Sequence, residues 1–193
     1  MTALDPIAQI QRWITEAERT EPDEPAAMTV ATVGADGRPS VRVVLLRGID
    51  ARGLVFYTNL SSRKSLELKT NPAVALCLHW KSSARQVRIE GQAAQVSDAE
   101  ADAYFASRER ESQIGAWASK QSQRLVGRFE LERRVARFAA QYALGNVPRP
   151  EFWSGFRVVP DRVEFWEKRP FRLHERSFYE LVDGQWQTSK LYP

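Results

Sequence analysis

Between Val163 and Arg176 the chain carries Phe165, Trp166, Arg169, Arg172, His174 and Arg176, a dense supply of rings, guanidiniums and imidazole. Arg172, His174 and Arg176 recur at a period of two, the side-chain alternation of a strand, which predicts that they project from one face of an extended ribbon. Such a face makes a poor core, because burying an unpaired charge costs several kcal/mol. It suits a planar, anionic ligand. Guanidinium forks meet phosphate or carbonyl oxygens and lie flat on rings, and an imidazole donates or accepts beside them. The same alternation also describes a solvated edge strand whose charges discourage aggregation.

Two further clusters have similar chemistry. Arg42 opens the run Arg42–Arg47, otherwise filled with Val and Leu, and Tyr57, Thr58, Arg63 and Lys64 follow. A helix is predicted over 61–69, with Ser61 or Ser62 as N-cap and Asn71-Pro72 as the stop. Arg63 and Lys64 then fall in its first turn, where free backbone N–H groups favour an anion and cations conflict unless one is bound. A solvated helix start is the alternative. Tyr104, Arg108 and Ser112 are spaced four apart. On a continuous helix they would share a face and offer a phenol, a guanidinium and a hydroxyl to one phosphate. Glu109 and Glu111 make that segment less welcoming to anions, Gln113, Gln121 and Ser122 add neutral hydrogen-bonding groups, and Trp117 reads as core.

The elements that must position these groups can be read in order. Asp5–Arg19 is predicted helical, with Ile7, Ile10, Ile14 and Ala17 plus Trp13 as its apolar stripe, and Glu21–Pro25 as a breaker. Strands are expected at 27–33 and 40–47 around the turn 34–39, then at 54–58, 73–80 and 85–96. Ser97 and Glu100 form a capping-box signature that opens a helical segment, 97–145, whose patterning resumes from Leu125 to about Tyr142. Strands return at 156–159, 162–166, 171–174, 178–182 and 186–191. Antiparallel hairpins interrupted by helices, without βαβ alternation, give an α+β class built on a small antiparallel barrel. One domain is expected over 1–193, with 5–19 as N-terminal helix, 97–145 as helical insertion and 155–193 as C-terminal strands.

With 193 residues and a formal net charge of +4, the chain can bury a real core and permits, without requiring, nucleic-acid or membrane-surface binding. Its arginines are dispersed, form no continuous backbone track, and suit phosphorylated small molecules. A single cysteine, Cys77, excludes an internal disulfide, and its apolar surroundings at 74–78 predict a buried, inert thiol. Two distant histidines argue against a metal site. No apolar run is long enough to span a bilayer, so a cytoplasmic protein is expected.

The chain resembles the pyridoxamine 5′-phosphate oxidase family in the strings 42–47, 57–64, 85–86, 112–117, 119–122, 164–166 and 172–176, in order and across nearly the whole length. The resemblance implies an FMN-binding split β-barrel that works as a homodimer, with FMN in clefts at the subunit interface. It implies that Arg42, Lys64 and Arg63 meet the FMN phosphate, and that Val43, Val44, Leu45, Leu46, Arg47, Tyr57 and Thr58 line the cofactor. Gln86, Gln121, Ser122, Trp166 and Arg176 would hold the remainder of FMN, some of them across the dimer. The substrate phosphate would lie among Arg47, Tyr104, Arg108 and Ser112, while Arg172, Leu173 and His174 flank the pyridine ring, Arg172 and His174 acting as catalytic residues. The implied reaction oxidises pyridoxamine or pyridoxine 5′-phosphate to pyridoxal 5′-phosphate and reduces O2 to hydrogen peroxide.

Two departures from the family pattern stand out. Arg47 replaces a common lysine, exchanging a point donor for a planar fork. The chain also starts almost at the Asp5-Pro6 helix, without the longer N-terminal arm of many relatives, which predicts freer product exchange. The alternatives are a same-fold FMN oxidase acting on another heterocycle, such as a phenazine precursor, and a non-catalytic binder of flavin, pyridoxal phosphate or nucleic acid.

Overall fold

A computed structural model describes residues 5–193. In chain order the elements are α1 (Pro6–Thr20), β1 (Ala27–Val33), β2 (Pro39–Leu45), β3 (Gly48–Asp50), β4 (Gly53–Asn59), α2 (Arg63–Thr70), β5 (Ala73–Trp80) and β6 (Arg85–Gln95). Then come α3 (Asp98–Ser107), α4 (Arg110–Ala118), α5 (Glu130–Gln141), β7 (Trp153–Glu167), β8 (Glu175–Val182) and β9 (Gln185–Lys190).

The 15-residue β7 is the spine of the sheet. β6 pairs along its whole length on one edge, while β4 takes the first half of the other edge and β8 the second. The strand order β2-β1-β5-β6-β7-β4-β3 is antiparallel at every step and puts two strands consecutive in sequence at opposite ends. Two adjacent residues join those ends. The Leu46 N–H donates to Ala26 O (2.9 Å), and the Arg47 N–H donates to Val55 O (2.8 Å). The sheet therefore curls until residues 46 and 47 stitch it into a split barrel. The register shift between Glu90 and Gly91 helps it bend, and Gly91 is required there because a Cβ would stand 2.1 Å from Val159 O.

Alternation sends Met28, Val30, Leu76, Leu78, Val87, Ile89, Val163 and Phe165 inward. Helix α1 covers them with Ile7, Ile10, Trp13 and Ala17, and the Asp5 carboxylate caps it by accepting from Ile7 N–H (2.9 Å). Trp13 meets Phe165 edge-on at 5.0 Å. Burying each such side chain contributes about 1.5–3 kcal/mol.

The structure corrects several sequence expectations. Residues 156–159 and 162–166 belong to one strand, because Pro160, which lacks an N–H, sits opposite Gly91 at the bulge. Residues 171–174 are not a strand. Pro170–Arg172 form a 3₁₀ turn in which Phe171 and Arg172 take φ of +55° and +63°, and β8 starts only at Glu175. Arg172 and His174 thus do not share a ribbon face with Arg176. The helix expected from Leu125 begins at Glu130, because Gly127 interrupts it and nothing covers Val126, which is 90% exposed. Cys77 is half-buried rather than fully buried; burial raises its thiol pKa and keeps it unreactive.

Candidate functional site

A cleft of about 1180 Å³ opens where β2, β4, the start of α2 and the helices α3 and α4 meet. Its lining includes Arg42, Val43, Val44, Leu45, Arg47, Tyr57, Thr58, Arg63 and Lys64, together with Tyr104, Arg108, Ser112, Gln121 and Ser122. These are positions from four separate parts of the sequence.

One end is built around Lys64 and Arg42. Lys64 lies in the first turn of α2 and is only 6% exposed. Its ammonium donates to Thr58 Oγ1 (2.9 Å), Ser62 Oγ (3.2 Å) and Gln121 Oε1 (3.0 Å), all neutral oxygens. Burial, and then the Arg42 charge, lower its pKa to about 8. Arg42 points inward from β2 and donates to Thr32 Oγ1 (2.6 Å) and Val30 O (3.2 Å), with Glu67 3.4 Å away. Its pKa is lowered by burial against the opposing pull of Glu67. Glu67 is buried, which alone would raise its pKa, but hydrogen bonds from Ser40, Thr32 and Arg63 prevail and lower it to about 2. The segment after α4 is pinned over this end. Asn59 Nδ2 donates to Ser119 O (3.3 Å), and Ser122, at φ +69°, accepts from the Arg63 N–H (3.3 Å).

The other end is aromatic and cationic. The Tyr57 and Tyr104 rings stack at 3.9 Å and 9°, and Trp153 lies parallel to Tyr57 at 5.4 Å. Arg108 sits 4.9 Å over Trp153, and its buried Nη1 has no hydrogen-bond partner. Burial lowers its pKa and the Arg47 charge adds to that, while Tyr104 opposes them. An unpaired guanidinium nitrogen, a second guanidinium and a serine hydroxyl on one wall describe a place for an anion. Tyr104, Arg108 and Ser112 do not share one continuous helix, because α3 ends at Ser107. Gln113 of α4 donates to Phe105 O (2.9 Å) and holds the corner that still brings the three together. Trp117 packs against Phe138, Tyr142 and Phe152 as a core ring.

Gly155 lets this wall close. A Cβ there would stand 2.7 Å from the Tyr57 ring and 3.0 Å from Phe56 O. Gly155→Ala is expected to displace Tyr57 and cost about 1–3 kcal/mol, a fall of several degrees in a calorimetric melting temperature. An unchanged melting temperature would show that the sheet relaxes freely.

The cleft does not contain every residue the sequence singled out. Leu46 is in the barrel core, and Gln86, Trp166, Arg172, Leu173, His174 and Arg176 do not line it. Gln86, Trp166 and Arg176 face one another in register across β6, β7 and β8, on the side of the sheet away from the core. Arg176 is engaged there by both oxygens of buried Glu164 (2.8 and 3.0 Å), which raises its pKa, and it also donates to Tyr192 O (2.8 Å). The His174 ring lies 4.6 Å from Trp166, and its Nδ1 accepts from the Arg169 N–H (3.3 Å). Arg172 and Leu173 are exposed. Trp153, Asn59, Ser40 and Glu67, by contrast, were not singled out by the sequence and belong to the cleft or brace it. No helix of the described residues is long and apolar enough to cross a membrane, and among them no group of three or more His, Cys, Asp or Glu could hold a metal ion.

An antiparallel split barrel whose cleft combines two pairs of cations with parallel aromatic rings has the chemistry to hold a phosphorylated, planar molecule. The chain belongs to the pyridoxamine 5′-phosphate oxidase family. Residues 14–142 match the family described as pyridoxamine 5′-phosphate oxidase, and residues 153–193 match the pyridoxine 5′-phosphate oxidase C-terminal dimerisation region. The pyridoxine/pyridoxamine 5′-phosphate oxidase of Rhodospirillum rubrum is 61% identical, over 98% of this chain and 96% of that one. The protein of the same name from Caulobacter vibrioides is 57% identical, over 98% of this chain and 85% of that one. Among solved structures, PhzG from Burkholderia lata 383, in complex with tetrahydrophenazine-1-carboxylic acid, superposes with a TM-score of 0.93 at 35% identity, covering 99% of this chain and 94% of that one.

Proposed function

We propose that this chain is an FMN-dependent oxidase that converts pyridoxamine 5′-phosphate and pyridoxine 5′-phosphate to pyridoxal 5′-phosphate as a homodimer, passing the electrons to O2. The observation that carries it is Lys64, a buried ammonium bonded only to neutral oxygens beside a second, half-buried cation, Arg42. Two such cations fit a phosphate dianion, and the orphaned Nη1 of Arg108 marks a place for a second one. Arg42, Arg63 and Lys64 would hold the FMN phosphate. Val43, Val44, Leu45, Tyr57, Thr58, Gln121 and Ser122 line the same cleft toward the rest of the cofactor. FMN, when bound, would supply the two-electron acceptor for hydride removal from the substrate's C4′ carbon, with O2 as final acceptor giving hydrogen peroxide; for the amine substrate, water hydrolyses the resulting imine and ammonia leaves.

The chain's own residues bind and orient. Arg47, Tyr104, Arg108 and Ser112 take the substrate phosphate, and the planar fork of Arg47 grips two oxygens where a lysine would offer a point charge. The exposed Arg172 and the neighbouring His174 approach the pyridine ring from the partner protomer. Because His174 Nδ1 accepts from a backbone N–H, Nε2 is the ring nitrogen that would be left to donate to the substrate. Gln86, Trp166 and Arg176 lie on the outer face of β6, β7 and β8, with the His174 ring beside Trp166, and would meet the cofactor there.

The test is direct. The purified protein is expected to be yellow with a flavin spectrum and to form an aldehyde and peroxide when pyridoxamine 5′-phosphate is added under air. Flavin without turnover would assign the chain to oxidation of another heterocycle. Failure to take up FMN would remove the oxidase reading altogether.

A further inference from the structure

Glu67 is a buried carboxylate in a site that must attract an anion, and simple charge counting says it should not be there. It is 8% exposed and ionised, and four groups donate to it. Oε2 accepts from Thr32 (2.5 Å), Ser40 (2.5 Å) and Arg42 (3.4 Å), while Oε1 accepts from Arg63 Nε (2.8 Å). One carboxylate thus bridges the arginine of β2 to the arginine that opens α2.

The direction of these bonds matters more than their number. A hydroxyl has one proton to donate. Thr32 and Ser40 each give theirs to Glu67 and turn their lone pairs toward Arg42, which donates from Nη1 to Thr32 and from Nη2 to Ser40. Two parallel relays, Arg42 to Thr32 to Glu67 and Arg42 to Ser40 to Glu67, therefore fix the guanidinium plane. Those bonds occupy Nη1 and Nη2 and leave the Nε–H of Arg42 outside them. A free arginine side chain would lose about 2 kcal/mol of rotamer entropy on being ordered by a ligand, and this one is already held. We propose that Glu67 is a positioning residue for the phosphate end of the cleft, setting Arg42 and Arg63 so that they bind the phosphate of FMN without reorganisation. The inference rests on the assignment of the FMN phosphate to this end.

Charge and position predict opposite signs. If only the field mattered, Glu67→Gln would remove a repulsive charge and tighten FMN binding. If position matters, the amide cannot accept from Arg63, Thr32, Ser40 and Arg42 together, and the phosphate contact loosens. The experiment titrates apoprotein with FMN and with riboflavin, which lacks the phosphate, by quenching of flavin fluorescence. Wild type is expected to prefer FMN. Glu67→Gln should lower the FMN-to-riboflavin affinity ratio about tenfold, the scale of one charge-assisted hydrogen bond, with riboflavin affinity unchanged. Thr32→Val, which keeps shape and removes one relay, should shift the ratio the same way by less, and it decides the matter if the Glu67 variant does not fold. A ratio equal to or above wild type, or equal weakening of both ligands, overturns the positioning role. A wild-type protein indifferent to the phosphate would instead remove the site assignment, and this inference with it.

Discussion

Lys64→Met is expected to yield a folded, colourless protein whose FMN affinity is lower by about 10²–10³-fold. Truncating one partner of a buried, hydrogen-bonded charge pair costs about 2–5 kcal/mol, and Lys64 is the most deeply buried cation of the cleft. The same change should make the apoprotein more stable, which a mutation of a merely structural lysine would not do. Folding lowers the Lys64 pKa from 10.5 to about 8. Between these values the unfolded chain binds more protons than the native one, so apoprotein stability rises with pH across that window. Well below pH 8, at pH 7 for example, the buried ammonium is largely charged and its cost is largely present, and methionine removes it. Thr58 and Ser62 keep other partners, Gln121 and Ser65 respectively, so little is orphaned. Flavin affinity of the wild type moves the other way, holding below about pH 8 and weakening above it as the ammonium needed by the phosphate deprotonates. Melting curves and FMN titrations at pH 7 and pH 9.5 check both signs. A Lys64→Met protein that stays yellow through gel filtration would show that the phosphate lies elsewhere.

The cations of the cleft were legible because they are misplaced. Arg42 interrupts a strand of Val and Leu, and Lys64 lies in the first turn of a helix where a positive charge is unwelcome; both are anomalies that a bound anion would relieve. Tyr104, Arg108 and Ser112 were legible by spacing, although the helix that spacing assumes breaks at Arg108 and the group survives through the corner held by Gln113. Glu67 was hidden for a physical reason. Four residues after Arg63 it reads as an ordinary surface helix pair. Its role comes from strand register, which sets Thr32 opposite Ser40 and Val30 opposite Arg42 and turns their polar groups under α2. Trp153 was hidden likewise, since its place beside Tyr57 depends on Asn59 pairing with it across β4 and β7. At 171–174 the period of two misled, because Pro170 starts a turn and two residues enter the left-handed region, where alternation has no meaning. That strained turn presents Arg172 at the surface, where a side chain can serve a neighbouring protomer but not its own cleft.

That geometry makes subunit complementation the sharpest test of the assembled site. Lys64→Met and Arg172→Ala are each expected to be nearly inactive as homodimers, the first for want of flavin and the second because the substrate ring is no longer oriented over it. Arg172→Ala should keep its colour, since Arg172 does not line the cleft proposed to hold the FMN phosphate. If each active site takes Lys64 from one protomer and Arg172 from the other, a hybrid dimer carries one site with both defects and one site with neither. Random reassortment makes about half of the dimers hybrids, each with one of two sites intact, so a mixed sample should recover about a quarter of wild-type turnover. Were both residues drawn from the same protomer, every site in the hybrid would carry one defect and mixing would restore nothing. Unfolding the two variants together, refolding them with FMN and assaying peroxide against the separately refolded proteins distinguishes the cases. The contrast is between a quarter of full activity and background, far larger than any loss from imperfect refolding. Recovery at that level would put the outer face carrying Gln86, Trp166 and Arg176 against the partner's cleft, where the bidentate grip of Glu164 holds Arg176 ready to meet it.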